Sequence, residues 1–121
     1  MKNTFSIKKN FEFTRVYKRG KYYVGKMLIL YVLKDSSGKR PDFNYIGITA
    51  SKKVGKSVKR NRLKRLVREN YRVYESVLLT GYYMVFVLRK VDEDPDFKAF
   101  SKEMRFLLKK AGVMDREKWA N

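Results

Sequence analysis

The chain has 121 residues, of which 44% are hydrophobic and 15% aromatic, so residues 1–121 can form a single folded domain with a packed core. Thirty lysines and arginines oppose twelve acidic residues, and the resulting net charge of +18 predicts a polyanionic partner such as a nucleic acid. Cysteine and histidine are absent, which excludes disulfides, thiolate zinc sites and histidine catalysis, and no apolar run reaches the roughly 20 residues of a membrane helix, so we expect a cytoplasmic location.

A short helix and a group of strands are predicted for the first fifty residues. Asn10 can cap a helix that ends at about Arg19, since Gly20 follows directly. The turn-forming sequence 35–42 (DSSGKRPD) then separates two segments rich in β-branched, aliphatic and aromatic residues. We predict strands in these segments, at about 26–33 and 43–50, with a short additional strand compatible with 21–24.

A long helix, a buried strand and a final helix are predicted for the second half. Ser57 can cap a helix to about Leu79, a strand that is apolar until Arg89 follows at 82–89, and the acidic loop 92–96 precedes a helix that Gly112 stops. The order predicts a two-layer α/β (α+β) sandwich, with three helices on a mixed, mainly antiparallel sheet of about four strands. The apolar stripes are Leu63, Leu66, Val67, Tyr74 and Val77 in the long helix, and Phe97, Phe100, Met104, Leu107 and Leu108 in the last one.

The most unusual part of the chain is the basic segment, residues 52–72 (KKVGKSVKRNRLKRLVRENYR). Ten of its 21 residues are Lys or Arg, and only Glu69 is acidic. On a helical wheel the apolar residues fill one arc and the cations fill the opposite arc. Cations also crowd the first helical turns, where the helix dipole disfavours them and no acid in the segment compensates them. We therefore predict a phosphate-binding surface, with Gly55 allowing close approach of the backbone, rather than a merely solvated face.

Two smaller groups each have two interpretations. Phe13 and Tyr17 share one face of the first predicted helix, and Tyr31 lies in the middle of a predicted strand. Rings interleaved with cations suit the stacking of single-stranded bases, but from spacing alone a place in the core is favoured. The acidic loop 92–96 offers carboxylates to a hard cation, although acids at a helix start also favour the helix dipole without any metal.

Taken as a whole, the sequence resembles the family of bacterial ribonuclease P protein subunits. The resemblance is strongest at Lys-Lys-Val-Gly-Lys (52–56) and at Arg-Asn-Arg-Leu-Lys-Arg-Leu (60–66). Ile-Lys-Lys-Asn (7–10), with the aromatic residues that follow it, and Leu-Tyr (30–31) also look like the family.

This resemblance implies a ribonucleoprotein in which an RNA subunit, using magnesium as cofactor, removes the 5′ leader of precursor tRNA. It also implies a left-handed β-α-β crossover, an exception to the usual hand. The protein would bind the RNA subunit through its basic helix and hold the leader between the first helix and the sheet. No catalytic or metal-binding residue, and no obligate protein partner, is expected in this chain. The residues implied for RNA-subunit binding are Lys52, Lys53, Lys56, Lys59, Arg60, Asn61, Arg62, Lys64, Arg65 and Arg68, and those implied for leader binding are Phe13, Tyr17 and Tyr31.

Other functions fit parts of the sequence. A structural RNA-binding protein of the ribosomal type would explain the charge but not the aromatic residues of the first helix. A stand-alone enzyme would have only carboxylates and lysines as bases, and no paired spacing of them stands out. A DNA-binding or membrane-binding helix also fits the charge, but no half-site pattern is visible, and the apolar arc of the helix is better used against the sheet.

Overall fold

A computed structural model of the chain describes residues 1–37 and 41–119, which form a five-stranded sheet and four α-helices. The strands are β1 (Thr4–Ser6), β2 (Lys21–Val24), β3 (Leu28–Lys34), β4 (Asn44–Ala50) and β5 (Tyr82–Leu88). The helices are α1 (Asn10–Arg19), α2 (Ser57–Tyr74), α3 (Phe97–Lys110) and the short α4 (Arg116–Trp119). Short 3-10 turns at Lys52–Val54 and Glu75–Val77 flank α2.

The sheet is mixed, with the strand order β1-β4-β5-β3-β2. β4 pairs in parallel with both β1 and β5, whereas β3 pairs antiparallel with β5 and β2. Because β4 and β5 are parallel neighbours, α2 forms the crossover that connects them. The predicted α/β sandwich is confirmed, but the sheet has five strands rather than about four. β1 has only three residues and two of them are exposed, so it has no pattern that would identify it in the sequence.

The helix ends differ from the prediction. α1 and α2 begin at Asn10 and Ser57 themselves, so neither residue is the cap, and neither helix has a side-chain cap. α2 ends at Tyr74 rather than near Leu79, because the chain becomes extended at Leu78, which is buried and pairs with Met114. The predicted turn 35–42 is only partly described, since residues 38–40 lie outside the described residues.

The main core lies between one face of the sheet and the helices α2 and α3. On the opposite face, α1 packs alone, with Val16 fully buried in a small cluster with Ile7 and Val85. Strand β5 contributes alternate residues to both faces, as its fully buried Met84, Val85 and Phe86 show. The largest buried side chains of the main core include Leu28, Leu30, Leu63, Val67, Tyr71, Met84, Phe86, Phe100, Met104, Leu107 and Leu108.

On the α1 side, the strand register arranges the sheet residues in three rows across the strands. We name them the near row (Tyr45, Tyr83, Leu33), the central row (Gly47, Val85, Tyr31) and the far row (Thr49, Val87, Ile29). The ring of Phe13 lies on Gly47, where a Cβ atom would come within 2.4 Å of the Phe13 Cε1 atom. α1 therefore covers the central row and leaves the near and far rows on its two sides.

Glu75, at the end of α2, ties the N-terminal strand to the rest of the fold. Its carboxylate accepts the backbone N–H groups of Lys2 (3.0 Å) and Asn3 (3.3 Å) and the hydroxyl of Thr4. The Thr4 hydroxyl also lies 2.8 Å from the hydroxyl of Tyr71, whose burial raises its pKa to about 12. Burial alone would raise the pKa of Glu75, but the hydrogen bonds from Thr4, Lys2 and Asn3 bring it below its ordinary value.

Replacing Glu75 by alanine should lower the free energy of unfolding at pH 7 by about 2–3 kcal/mol, because three donors lose a charged acceptor. Thermal unfolding should show a decrease of roughly 10 °C. Since folding lowers the Glu75 pKa, its contribution is fully present above the unfolded pKa of about 4.3 and is lost as the pH falls through the folded value. Glu93→Ala removes the same charge from an exposed site and should change the melting temperature little. Equal melting temperatures for the two variants at pH 7 would contradict the role of Glu75.

Candidate nucleic-acid interface

α2 packs on the sheet through one apolar stripe and exposes a basic surface on the other side. Leu63, Val67 and Tyr71 recur every four residues and are almost fully buried, as the spacing of the first two predicted. Tyr71 was not among the predicted core residues, although a helix that buries Leu63 and Val67 also buries the position one turn later. On the opposite side, the side chains of Arg62 and Arg65 are 57% and 79% exposed.

The structure brings the predicted RNA-subunit residues together along this surface and the turn before it. Because the apolar stripe of α2 is buried against the sheet, these polar side chains lie on the outer side of the helix. Arg72 is also exposed, and it extends the same cationic surface by one helical turn. Of the predicted residues, Lys52, Lys53, Lys56, Asn61, Arg62, Arg65 and Arg68 are exposed, while Lys59, Arg60 and Lys64 are half-buried.

The turn before α2 depends on Gly55, which has a φ of +152°, a backbone conformation that favours glycine. A Cβ atom at this position would lie 2.7 Å from Cδ of Lys59, so the Lys59 side chain packs directly against the glycine. Within the described part of the chain, no side chain caps the start of α2. The first backbone N–H groups of α2 therefore have no side-chain acceptor there, and together with the lysines nearby in the chain they favour an anion at this end of the helix.

An acid from outside the basic segment compensates its first turns, contrary to the prediction that none does. Asp94 lies 2.8 Å from the Lys59 ammonium and also accepts a hydrogen bond from Nη2 of Arg62. The hydrogen bond from Lys59 and the charges of both cations hold the Asp94 pKa below its ordinary value. Asp94 and Arg62 are 32 residues apart, so no local pattern could have predicted this contact.

Another acid of the same loop stabilises the start of α3. Asp96 caps this helix, its carboxylate accepting the Ala99 N–H at 2.8 Å, and this confirms the interpretation of acids at a helix start for Asp96. Pro95 precedes the cap and so lies outside the helix. Asp94, by contrast, forms ion pairs with Lys59 and Arg62 of α2.

Much of the basic surface lacks acidic partners. Arg65 pairs with Glu69 at 3.1 Å, one turn along α2. Nε of Arg60 is buried and makes no hydrogen bond within the described structure. The cations of the predicted set that form no ion pair with any described residue are Lys52, Lys53, Lys56, Arg60, Lys64 and Arg68. Their positive charge is therefore available to phosphate groups.

A second group of predicted residues forms the aromatic cleft, which consists of Phe13, Tyr17, Tyr31 and Tyr22 beside α1. The ring centroids of Tyr17 and Tyr31 are 4.9 Å apart and nearly perpendicular, and those of Phe13 and Tyr17 are 6.4 Å apart. Tyr17 is 38% exposed, while Phe13 and Tyr31 are half-buried. The structure thus brings the three predicted rings together outside the main core, with Tyr17 exposed and with Phe13 and Tyr31 packed against the small cluster under α1.

Tyr22 belongs to the aromatic cleft but was not predicted. It is 64% exposed, and its ring centroid lies 5.7 Å from that of Tyr31. The two residues are register partners on β2 and β3, so they point to the same face of the sheet. The sequence indicated a short strand here, but it did not indicate the strand register. The register is what brings the Tyr22 ring next to Tyr31.

The described residues do not fit a resident magnesium site. No group of three or more acidic side chains gathers among them, and both oxygens of Asp94 already contact cations. In the described ranges, no helix is both long enough and apolar enough to cross a membrane.

Comparisons with known proteins agree in sequence and in fold. A family model described as Ribonuclease P matches residues 1–112. The chain is 48% identical to the ribonuclease P protein component of Clostridium perfringens over 116 residues, 93% of each chain. It is 42% identical to that of Clostridium beijerinckii over 120 residues, 97% of this chain and 96% of the relative.

Solved structures give the same result. The ribonuclease P protein of Staphylococcus aureus has a TM-score of 0.80 and 30% identity, with 91% of this chain and 97% of that chain covered. The corresponding protein of Thermotoga maritima has a TM-score of 0.75 and 28% identity, with 87% of this chain and 96% of that chain covered.

Proposed function

The chain belongs to the ribonuclease P protein family, and from that premise we propose that it binds the catalytic RNA subunit and the 5′ leader of precursor tRNA. Membership gives it a role in a tRNA-processing endoribonuclease, as the protein partner of the ribonuclease P RNA. The observation that supports the finer proposal is the presence of two separate surfaces. One is the basic surface of α2, most of whose cations form no ion pair among the described residues, and the other is the aromatic cleft beside α1.

The basic surface suits a folded RNA subunit. Arg60, Lys64 and Arg68 have no acidic partner among the described residues, so their binding to phosphates breaks no existing ion pair. Arginine offers forked donors that match phosphate oxygens, and the uncapped start of α2 adds backbone N–H donors. Binding through phosphates positions the protein without reading bases, as expected for a partner recognised largely by shape.

The aromatic cleft suits a single-stranded leader. Bases stack on partly exposed rings whatever their identity, because every base has a π-face. Phe13, Tyr17 and Tyr31 provide such rings side by side, and a leader could lie between α1 and the far row of the sheet. A site of this kind tolerates leaders of different sequence. The ribosomal-type alternative does not explain why the exposed faces of these rings lie together beside α1.

We assign the chemistry and the magnesium cofactor to the RNA subunit and the substrate. The chain has no histidine or cysteine, and its described carboxylates form no cluster of metal ligands. What the protein supplies is positive charge and position. A protein with a net charge of +18 that lies between the RNA subunit and the precursor tRNA lowers the electrostatic repulsion between the two RNAs. Without the protein, dissolved magnesium must screen that repulsion.

The experiment that tests the proposal measures precursor-tRNA cleavage at low magnesium with RNA subunit alone, protein alone, and both. The protein alone should not cleave, and adding it to the RNA subunit should raise the rate by about tenfold or more, within the range of electrostatically assisted association. Polylysine of matched total charge serves as the control for charge without a fold, and should give a smaller gain. Robust cleavage by protein free of RNA, or no gain over polylysine, would contradict the proposal.

A further inference from the structure

A second group of rings lies on the sheet beyond the other side of α1. Tyr45 and Tyr83 of the near row stack in parallel, with ring centroids 4.8 Å apart. Phe43 approaches Tyr45 edge-on at 5.5 Å, and Phe5 approaches Phe43 edge-on at 5.3 Å. Phe5 is the register partner of Tyr45 and extends the near row onto β1. We call Phe5, Phe43, Tyr45 and Tyr83 the aromatic edge.

The aromatic edge is accessible, and two cations, Lys8 and Lys9, and one acid, Glu12, lie beside it. Phe5 is 57% exposed, whereas a ring that served only the core would be covered. Phe5, Phe43 and Tyr45 line an open cavity of about 680 Å³ together with Lys8 and Lys9, a volume within the range of about 300–1,000 Å³ that ligand pockets occupy.

Arg15 completes the basic character of this surface. Its guanidinium lies over the Tyr83 ring, 4.8 Å from the centroid, and its Nε atom is buried without a hydrogen-bond partner among the described residues. A cation held against a ring next to exposed aromatic residues is the combination that single-stranded nucleic acids select. Rings on adjacent strands of one sheet are also a general device for stacking successive RNA bases.

We propose that the aromatic edge is a second stacking site for single-stranded RNA, occupied by leader nucleotides farther from the cleavage site than those in the aromatic cleft. This inference rests on the proposed function. Both sites lie on the same face of the sheet, one on each side of α1. Tyr31 lies in the central row on β3, and Phe5 lies in the near row on β1, three strands away. The two rings are therefore about 7 Å apart along the strands and about 14 Å apart across them, a span that a few nucleotides cover. A leader leaving the aromatic cleft therefore reaches the aromatic edge only if it is long enough.

The test compares the holoenzyme affinities for precursors with leaders of about four and about twelve nucleotides, a range of site sizes known for single-stranded binding. Phe5→Ala should weaken binding of the long-leader precursor about five- to tenfold, as expected for loss of one stacked base, and leave the short-leader precursor unchanged. Phe5→Leu should act in the same way, because it keeps apolar contact but removes the flat ring. Phe106→Ala is the matched control, since Phe106 is 54% exposed on α3, across the sheet.

Phe13→Ala separates this inference from the proposed function. If Phe13→Ala weakens both precursors but Phe5→Ala weakens neither, the aromatic edge is not a leader site and the proposed function stands. If Phe13→Ala has no effect on either precursor, the proposed leader site itself fails. Equal losses for short and long leaders with Phe5→Ala, or a loss of affinity for the RNA subunit, would overturn the assignment of the aromatic edge to the leader.

Discussion

Replacing Arg62, Arg65 and Arg68 together by alanine should weaken binding to the RNA subunit by about a hundredfold or more at ~0.1 M salt. Each phosphate contact releases condensed counterions, and its loss costs most where salt is dilute. Arg62 should contribute least, because Asp94 already neutralises part of its charge. Arg68 should contribute fully, since it has no ion-pair partner in the described part of the chain.

A salt titration checks this prediction. Five to eight phosphate contacts for the unchanged protein give a slope of log affinity against log salt of roughly −4 to −7, and each lost contact should flatten it by about one. The matched control is Lys98→Ala, Lys102→Ala and Arg105→Ala, which removes the same charge from exposed positions of α3. Circular dichroism should be unchanged in both variants. Equal losses of affinity would mean that total charge, not the basic surface of α2, determines binding.

Phe13→Ala or Tyr17→Ala should weaken binding of precursor tRNA to the holoenzyme by about tenfold or more and leave binding of mature tRNA nearly unchanged. Loss of a stacking ring costs about 1–3 kcal/mol per base, and mature tRNA has no leader to lose. Tyr31→Ala should reduce leader binding too, but it also removes a half-buried ring that contacts Tyr17 and Tyr22, so its melting temperature should fall.

The control for this second prediction lies on the same helix. Phe11 is 62% exposed on α1, outside the aromatic cleft, so Phe11→Ala should bind both tRNAs normally. The measurement is the ratio of precursor to mature affinity at matched salt, together with the melting temperature of each variant. A fall in melting temperature with equal loss of both ligands would show that Phe13 and Tyr17 act only in packing.

The elements with a strong period were predictable from sequence, and the contacts between distant elements were not. Phe100, Met104, Leu107 and Leu108 repeat with the helical period and are all fully buried in α3. Phe97, assigned to the same stripe, is 39% exposed because it lies in the first turn, next to the cap. Periodicity thus gives the buried face of a helix but not where that face meets its neighbours.

The same limit applies to the candidate site. The basic surface follows from composition and helical spacing alone, so its residues could be named in advance. The ion pairs of Asp94 could not be predicted, because they depend on how the loop after β5 folds back onto α2. The exposure of Tyr22 and Phe5 depends on strand register, which a sequence of short strands with alternating faces does not specify.

The uncapped, lysine-rich start of α2 also links folding to assembly. In the free protein the folded state holds like charges near the positive end of the α2 dipole; the first turn of α2 has no acid of its own, and Asp94 compensates this charge only in part, at Lys59 and Arg62. An unfolded chain relieves that repulsion by separating the charges. A ligand that binds only the folded state stabilises it by an amount that grows with the logarithm of the ratio of free ligand concentration to Kd, so the RNA binding proposed above should stabilise the folded chain. On the proposed function, the melting temperature of the chain should therefore rise when the RNA subunit is added.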